Sequence, residues 1–271
     1  FQVENFKSCI PYSTWKDREL RVEKNMHTIL DLLDSVSFQP KATFFVLGWI
    51  ARQLPGLVRE IHSRGHEVAS HGDQHHLCTT QSSDEIQNDL KTGRSLLEDI
   101  IGAQVCGYRA PSFAVNNDIL EIIRQTGHLY DSSYNSFAMH GRYGRIDLSG
   151  CQKTGAAFRI SHDFFELPLS NLSIGENVFP LGGGGYFRLL PFFLFKMGMQ
   201  RVLDQDNAFI FYSHPWEFDP DQPRVKQAPA GFRFRHYINL HRTHKKLQAL
   251  LNRFQHLKFT TCMDYLAHER T

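Results

Sequence analysis

The chain has 271 residues, with 30 Lys and Arg against 28 Asp and Glu and a formal net charge of +2. That balance excludes a uniformly basic nucleic-acid scaffold and an acidic tail protein. Apolar residues make up 41% and charged residues 21%, which is ordinary globular usage, and a chain this long buries a substantial core without staples. The longest apolar runs, Phe44 to Ile50 and Leu189 to Phe195, fall well short of the roughly 20 residues that a membrane-spanning helix needs. Cys9, Cys78, Cys106, Cys151 and Cys262 are odd in number and scattered, with no Cys-x-x-Cys pair. They read as reduced thiols in a cytoplasmic compartment.

From Val22 the pattern alternates between helical and extended. Val22, Met26, Ile29, Leu33 and Val36 form one apolar helix face. After Pro40, Ala42 to Ile50 reads as a buried strand. Pro55 to Arg64 predicts a helix with Pro in its first turn and Gly65 as its stop. Glu67 to His71 is a short strand. Ser82 and Glu85 form a capping box that opens a helix to about Ile101. Val105 to Arg109 is a strand, Asn117 to Gln125 a helix and His128 to Ser132 a strand. Phe158 to Ile160 and Phe164 to Leu169 suggest hairpin strands. Gly182 to Gly185 reads as a flexible loop before a helix from about Leu190 to Leu203. Ala208 to Ser213 reads as a strand, the proline-rich stretch from Pro215 to Gly231 as a long loop, Asn239 to Phe254 as a helix and Phe259 to Cys262 as a last strand.

Strands alternating with helices argue for parallel βαβ units. The expected class is α/β, a distorted (β/α) barrel forming one domain over residues 1–271, with an extension from about 215. The pattern opens on a helix, so a first strand is expected upstream of Phe1.

In such a fold the C-terminal ends of strands carry the chemistry. Those ends hold His71, Arg109, Asp131 and His214. His71 and His75 lie four residues apart in Ser-His-Gly-Asp-Gln-His and are candidate ligands of one divalent ion. His62 and His66 share that spacing but span a helix end, and read as a surface pair. Arg109 opens Arg-Ala-Pro-Ser-Phe, and its planar fork suits a carboxylate or a structural ion pair. His214 is placed to act as a general acid or to brace its loop. Asp131 either orients a histidine, contacts substrate or caps the following turn. Trp216 is a sugar-stacking platform or loop packing.

In this order the motifs resemble those of the polysaccharide deacetylases of carbohydrate esterase family 4, the NodB-homology fold. Ser-His-Gly-Asp-Gln-His resembles the family's His-x3-His metal motif, Arg-Ala-Pro-Ser-Phe its arginine motif and Tyr-Asp-Ser-Ser its following Asp motif. Phe-Tyr-Ser-His-Pro-Trp-Glu-Phe-Asp-Pro-Asp-Gln-Pro-Arg resembles its catalytic-His strand, and Gly-Gly-Gly-Tyr-Phe-Arg-Leu-Leu-Pro a segment of the exopolysaccharide-biosynthesis branch. The resemblance implies a metal-dependent hydrolase, most simply a zinc enzyme, that removes N-acetyl groups from N-acetylhexosamine units of a poly- or oligosaccharide. His71 and His75 would bind the metal, and His214, Arg109 and Asp131 would be catalytic, with Asp131 tuning His214. Trp216, Phe113 and Tyr186 would bind substrate. No nucleic-acid partner is implied. Members of the branch carry an Asp-Val-Glu-Asp-like motif directly before a Phe-Gln-Val-Glu segment. It supplies the general base and a third metal ligand, and it is expected just upstream of Phe1, with Glu4 or Asp73 as alternative carboxylates. The rival readings are another C–N hydrolase on this fold and an inactive carbohydrate-binding homologue.

Overall fold

The computed structural model describes residues 6–137 and 144–269; Glu4 lies outside them. In chain order the elements are α1 (Val22–Ser35), β1 (Thr43–Val46), α2 (Gly48–Gln53), α3 (Pro55–Ser63), β2 (Glu67–Ser70), α4 (Ser83–Ile101), β3 (Gly107–Tyr108), α5 (Asn117–Gln125) and β4 (Tyr130–Asp131). There follow β5 (Gln152–Thr154), β6 (Ala157–Arg159), β7 (Phe165–Glu166), β8 (Asn171–Ile174), β9 (Asn177–Pro180), α6 (Gly184–Leu189), α7 (Phe192–Asp206), α8 (Ala230–Tyr237), α9 (Thr243–Arg253) and α10 (Cys262–Glu269). Among the described residues no helix is long and apolar enough to cross a membrane.

The chain divides into two compact units. One comprises Lys41–Phe179, Val202–Ile210 and Phe259–Thr271, and it contains a seven-stranded sheet in the order β1-β2-β3-β4-β7-β6-β5. The first five strands of that order are parallel, while the β7–β6 and β6–β5 pairings are antiparallel. The expected α/β class with a parallel sheet is what the chain forms. α4 begins as its sequence predicts: Ser82 Oγ accepts from Glu85 N, Glu85 Oε2 accepts from Ser82 N at 2.8 Å, and left-handed Gly102 stops the helix. Ile86 and Leu90 from its buried face join Tyr108, Val115, Ile119, Ile123 and Phe164 in one apolar cluster. Tyr130, Phe165, Leu167 and Leu266 form another.

The other unit comprises Phe1–Pro40, Pro180–Arg201 and Phe211–Lys258. Met26, Ile29 and Leu33 of α1 are buried there, as the periodicity predicts, and Leu30 and Leu32 are buried with them. Arg21, at the start of α1, holds Asp219 with two parallel bonds of 2.6 and 2.9 Å, which fixes the far end of the turn that follows His214.

Several expected boundaries change. The Ala42 to Ile50 run forms a ladder only over Thr43–Val46, and the chain then turns into α2. Phe259 to Cys262 is not a strand. Thr43 Oγ1 accepts from Cys262 N and Glu67 Oε2 from Met263 N, so side chains on the sheet start α10. Among the described residues Ala208 to Ser213 makes a single bridge, Tyr212 with Gly183, and the Ile210 N–H is given to Ser170 Oγ. His66 is buried and accepts from Ala42 N, so it is no surface partner of His62.

Gly107 shows a requirement that sequence periodicity does not express. A Cβ there would lie 2.1 Å from the Tyr130 ring, which is fully buried and donates to Glu67 Oε1 at 2.8 Å. Gly107→Ala is therefore expected to destabilise the protein by about 1–3 kcal/mol through overpacking. Chemical denaturation followed by tryptophan fluorescence would measure this, and an unchanged midpoint would show that the ring moves aside freely.

Candidate active site

His71 follows directly on β2, and Arg109 directly on the neighbouring β3. Arg109 N donates to Ser70 O at 3.0 Å, so the two residues leave adjacent strand ends in register. His71 Nδ1 lies 2.7 Å from Arg109 O. A carbonyl only accepts, so Nδ1 carries the proton, and in the neutral ring Nε2 then holds the lone pair. This is the tautomer a metal ligand requires, set by a backbone acceptor. The His75 ring lies with its centroid 5.2 Å from that of His71 at an interplanar angle of 76°. Two imidazoles on one tetrahedral ion have centroids about 5 Å apart, so the pair fits two positions of such a site. Among the described residues no group of three or more His, Cys, Asp or Glu is arranged to hold an ion.

The loop between these histidines is built tightly. His75 has φ of 60° and Gly72 has φ of 76°. A non-glycine residue in the left-handed region carries strain that its surroundings must hold. Asp89 of α4 does so: its two oxygens accept from Asp73 N at 2.9 Å and Gln74 N at 3.1 Å. Asp73 is itself engaged by Arg52 and by Gln74 Nε2, both at 2.5 Å, which occupies the carboxylate expected as an alternative base.

Arg109 is buried, with its Nε on Ser132 O and its Nη2 on Ser132 Oγ, both at 2.7 Å, and its Cζ 4.1 Å above the Phe45 ring. After it, Ser112 and Phe113 are both left-handed, with φ of 53° and 59°. Phe113 is half-buried at the end of this strained turn.

Asp131 does not hold the place expected of it. Its relative exposure is 0%, so it cannot touch substrate, and it accepts from Ser133 Oγ at 2.8 Å and Ser133 N at 3.1 Å. It caps the next turn. Beside it, Glu166 accepts from Ser133 N and Tyr134 N. Burial raises the pKa of both carboxyls, and for Glu166 the Asp131 charge adds to the rise. The pair therefore retains a proton.

The unfolded chain releases that proton above about pH 4.5. Since the folded form binds more protons in this window, stability falls as pH rises through it. Glu166→Gln replaces the protonated acid with a neutral amide. Its Tm is expected to match the wild type near pH 4.5 and to exceed it at pH 8, by the equivalent of about 1 kcal/mol or more. Parallel Tm-versus-pH curves would show that the pair holds no extra proton.

In the other unit, His214 is followed by a 3-10 turn, Pro215–Phe218. Glu217 Oε1 lies 3.0 Å from His214 Nδ1 and accepts from His214 N at 3.0 Å. Its Oε2 accepts from Arg188 Nε at 2.9 Å. The side chains of Arg188 and Glu217 are 1% and 2% exposed, whereas that of His214 is 44% exposed. Arg188 is fixed in turn, donating to the carbonyls of Arg235, His236 and Ile238. Burial pushes Glu217 up, but the bonds and charges of His214 and Arg188 outweigh it and hold the carboxyl below its ordinary range. The carboxylate on His214 is thus Glu217, not Asp131.

The glycine run explains how Glu217 fits. A Cβ on Gly184 would lie 2.2 Å from Glu217 Oε2, and one on Gly183 would lie 2.8 Å from the Tyr212 hydroxyl. The run is a close backbone approach and the first turn of α6, not a flexible loop. Tyr186 is half-buried in that helix. Trp216 stacks on His236 at 4.0 Å and 12°, with Arg188 Cζ 5.1 Å from its ring. Of its two readings, packing is the one these contacts support. Glu217 and Arg188 were missed by sequence reasoning. The His-x-x-Glu spacing of a capping box and the glycine run were the available signals.

Residues 9–130 match the family described as polysaccharide deacetylase, and residues 132–267, half of the chain, match a domain of unknown function, DUF3473. The peptidoglycan deacetylase-like protein FGM2 of Gibberella zeae is 31% identical over 105 residues, which cover 39% of this chain and 31% of that protein. The peptidoglycan-N-acetylglucosamine deacetylase PgdA of Listeria monocytogenes is 40% identical over 83 residues, covering 31% and 18%. The chain spans less than half the length of these curated relatives. A crystal structure from Mycobacterium smegmatis, of a protein assigned to the polysaccharide deacetylases, superposes with a TM-score of 0.61 at 20% identity, covering 91% of this chain and 77% of that one. A carbohydrate esterase family 4 pseudoenzyme from Bacillus anthracis gives a TM-score of 0.50 at 14% identity, covering 89% and 60%.

Proposed function

The chain belongs to the polysaccharide deacetylase family, with DUF3473 as its C-terminal half, and from that membership we propose that it hydrolyses N-acetyl groups on N-acetylhexosamine units of a poly- or oligosaccharide. The observation that carries the reading is His71, whose Nδ1–H is given to Arg109 O while its neighbour His75 stands 5.2 Å away. We assign these two imidazoles to a divalent ion, with zinc as the ion that suits tetrahedral nitrogen ligands. When bound, such an ion polarises the acetamide carbonyl and makes water a better nucleophile at neutral pH.

The chain's own residues orient the two histidines and the acid, and the general base remains assigned to the acidic motif expected upstream of Phe1. Asp89 holds the His71–His75 loop in its strained form. Glu217 accepts from His214 Nδ1 and orients the ring so that its other nitrogen can pass a proton to the leaving amine. Arg188 keeps Glu217 ionised and in place. Overall, water adds across the amide, acetate leaves, and the sugar nitrogen takes the proton.

The test is acetate release from N-acetylglucosamine oligomers, with metal content measured in parallel. Chelation should abolish activity and Zn²⁺ should restore it. His71→Ala and His75→Ala should lose both metal and activity. His214→Ala should lower turnover by about 10²–10⁴-fold while keeping its metal, and Glu217→Gln should show a smaller loss of the same kind. No acetate from any N-acetylated glycan by the metal-loaded protein would reject the activity in favour of a carbohydrate-binding role. Loss of metal in His214→Ala would show that its role is misassigned.

A further inference from the structure

Within the proline-rich segment and α8, Arg224, Val225, Lys226, Ala230, Arg233 and Tyr237 line an open cavity of about 320 Å³. Three of these residues are cations, and no carboxylate is among them. None of the three forms an ion pair with a described residue. Neither the histidine pair nor the His214–Glu217–Arg188 chain uses any of them.

The cavity wall is ordered by contacts of its own. Arg224 Cζ lies 4.2 Å from the centre of the Tyr237 ring. The Tyr237 hydroxyl accepts from Val225 N at 2.8 Å and donates to Pro223 O at 3.2 Å, which ties the loop to the ring. The guanidinium is therefore pre-oriented, and less freedom is lost when it binds a ligand. Ala230, Arg233 and Tyr237 recur at spacings of three and four, so they share one face of α8. That helix starts at Ala230 with no side-chain cap from Pro229, so its first-turn amides add donors beside the cations.

Three like charges at one cavity repel one another unless an anion joins them. A single carboxylate brings one charge and two oxygens, which one arginine fork satisfies. A phosphoryl group brings up to two charges and three terminal oxygens, which matches Arg224, Lys226 and Arg233 together. We propose that this cavity is a phosphoryl-binding site. Its ligand is a phosphate or diphosphate group, borne on a lipid headgroup or free in solution. The assignment is independent of the deacetylase reading.

Titration calorimetry of the full chain with pyrophosphate, phosphate, sulfate and acetate tests it. Saturable binding of pyrophosphate, tighter than phosphate and much tighter than acetate, is expected. Arg224→Ala and Arg233→Ala should each weaken it by about tenfold or more. Lys226→Gln, which leaves the stacked pair untouched, should weaken it without altering the circular dichroism spectrum. Vesicles of phosphatidylcholine with and without phosphatidate separate the sources: binding only to phosphatidate vesicles, displaced by pyrophosphate, assigns the site to a lipid headgroup. Vesicle binding indifferent to pyrophosphate, sulfate or acetate binding as tightly as pyrophosphate, or unchanged affinity in both arginine variants would each overturn the proposal.

Discussion

A carboxylate taken out of water destabilises a protein by several kcal/mol unless its oxygens are satisfied, and each unit of this chain meets that constraint at a buried acid. In one, Glu217 is buried between His214 and Arg188. Both of its oxygens are used, and its charge is matched by a guanidinium that is itself locked to three backbone carbonyls. In the other, Asp131 and Glu166 are buried side by side. They are satisfied by Ser133 and Tyr134 and by retaining a proton. The same residue type is thus kept ionised in one setting and protonated in the other, and the neighbours make the difference.

The ionised arrangement gives His214 a defined role. Because Glu217 contacts both the backbone N–H and the ring Nδ1 of His214, the ring is oriented by a group that cannot drift. A histidine held this way presents its other ring nitrogen in a fixed direction, which proton transfer to a leaving group requires. His71 is treated similarly, with a backbone carbonyl in place of a carboxylate. A carbonyl acceptor fixes the ring by Nδ1 and turns Nε2 away from it, so the two histidines are held by partners of different charge on their Nδ1 atoms.

Backbone strain is found beside the His71 and Arg109 strand ends. His75, Ser112 and Phe113 are left-handed without being glycine, and they flank the His71 and Arg109 strand ends. Such conformations cost about 1–3 kcal/mol each, and they persist because the adjoining backbone is bonded elsewhere, as Asp89 does for Asp73 and Gln74. The glycines serve the opposite end. Gly107 and Gly184 admit Tyr130 and Glu217 into space that a Cβ would fill.

Much of this was legible in the residues alone. Helical periodicity and the Ser82–Glu85 capping box placed α1, α4 and α5, because those signals are local and depend on spacing within one or two turns. The strand-end positions of His71 and Arg109 followed from apolar runs that end in polar residues, and the family followed from its motifs in register. What only the tertiary structure decided was the partner of each polar group. Asp131 and Glu217 are both acids in candidate motifs, and beyond the His-x-x-Glu spacing at Glu217 nothing in their local sequence says which one meets His214. One is sealed beside Glu166 from a strand 35 residues on, and the other is met by Arg188 from a helix 29 residues earlier. The strand expected at Phe259 to Cys262 failed for the same reason, since Thr43 and Glu67 claim the backbone donors there. Hydrophobic spacing is written along the chain, but a buried polar group is assigned by whichever distant atom folding brings within hydrogen-bond reach.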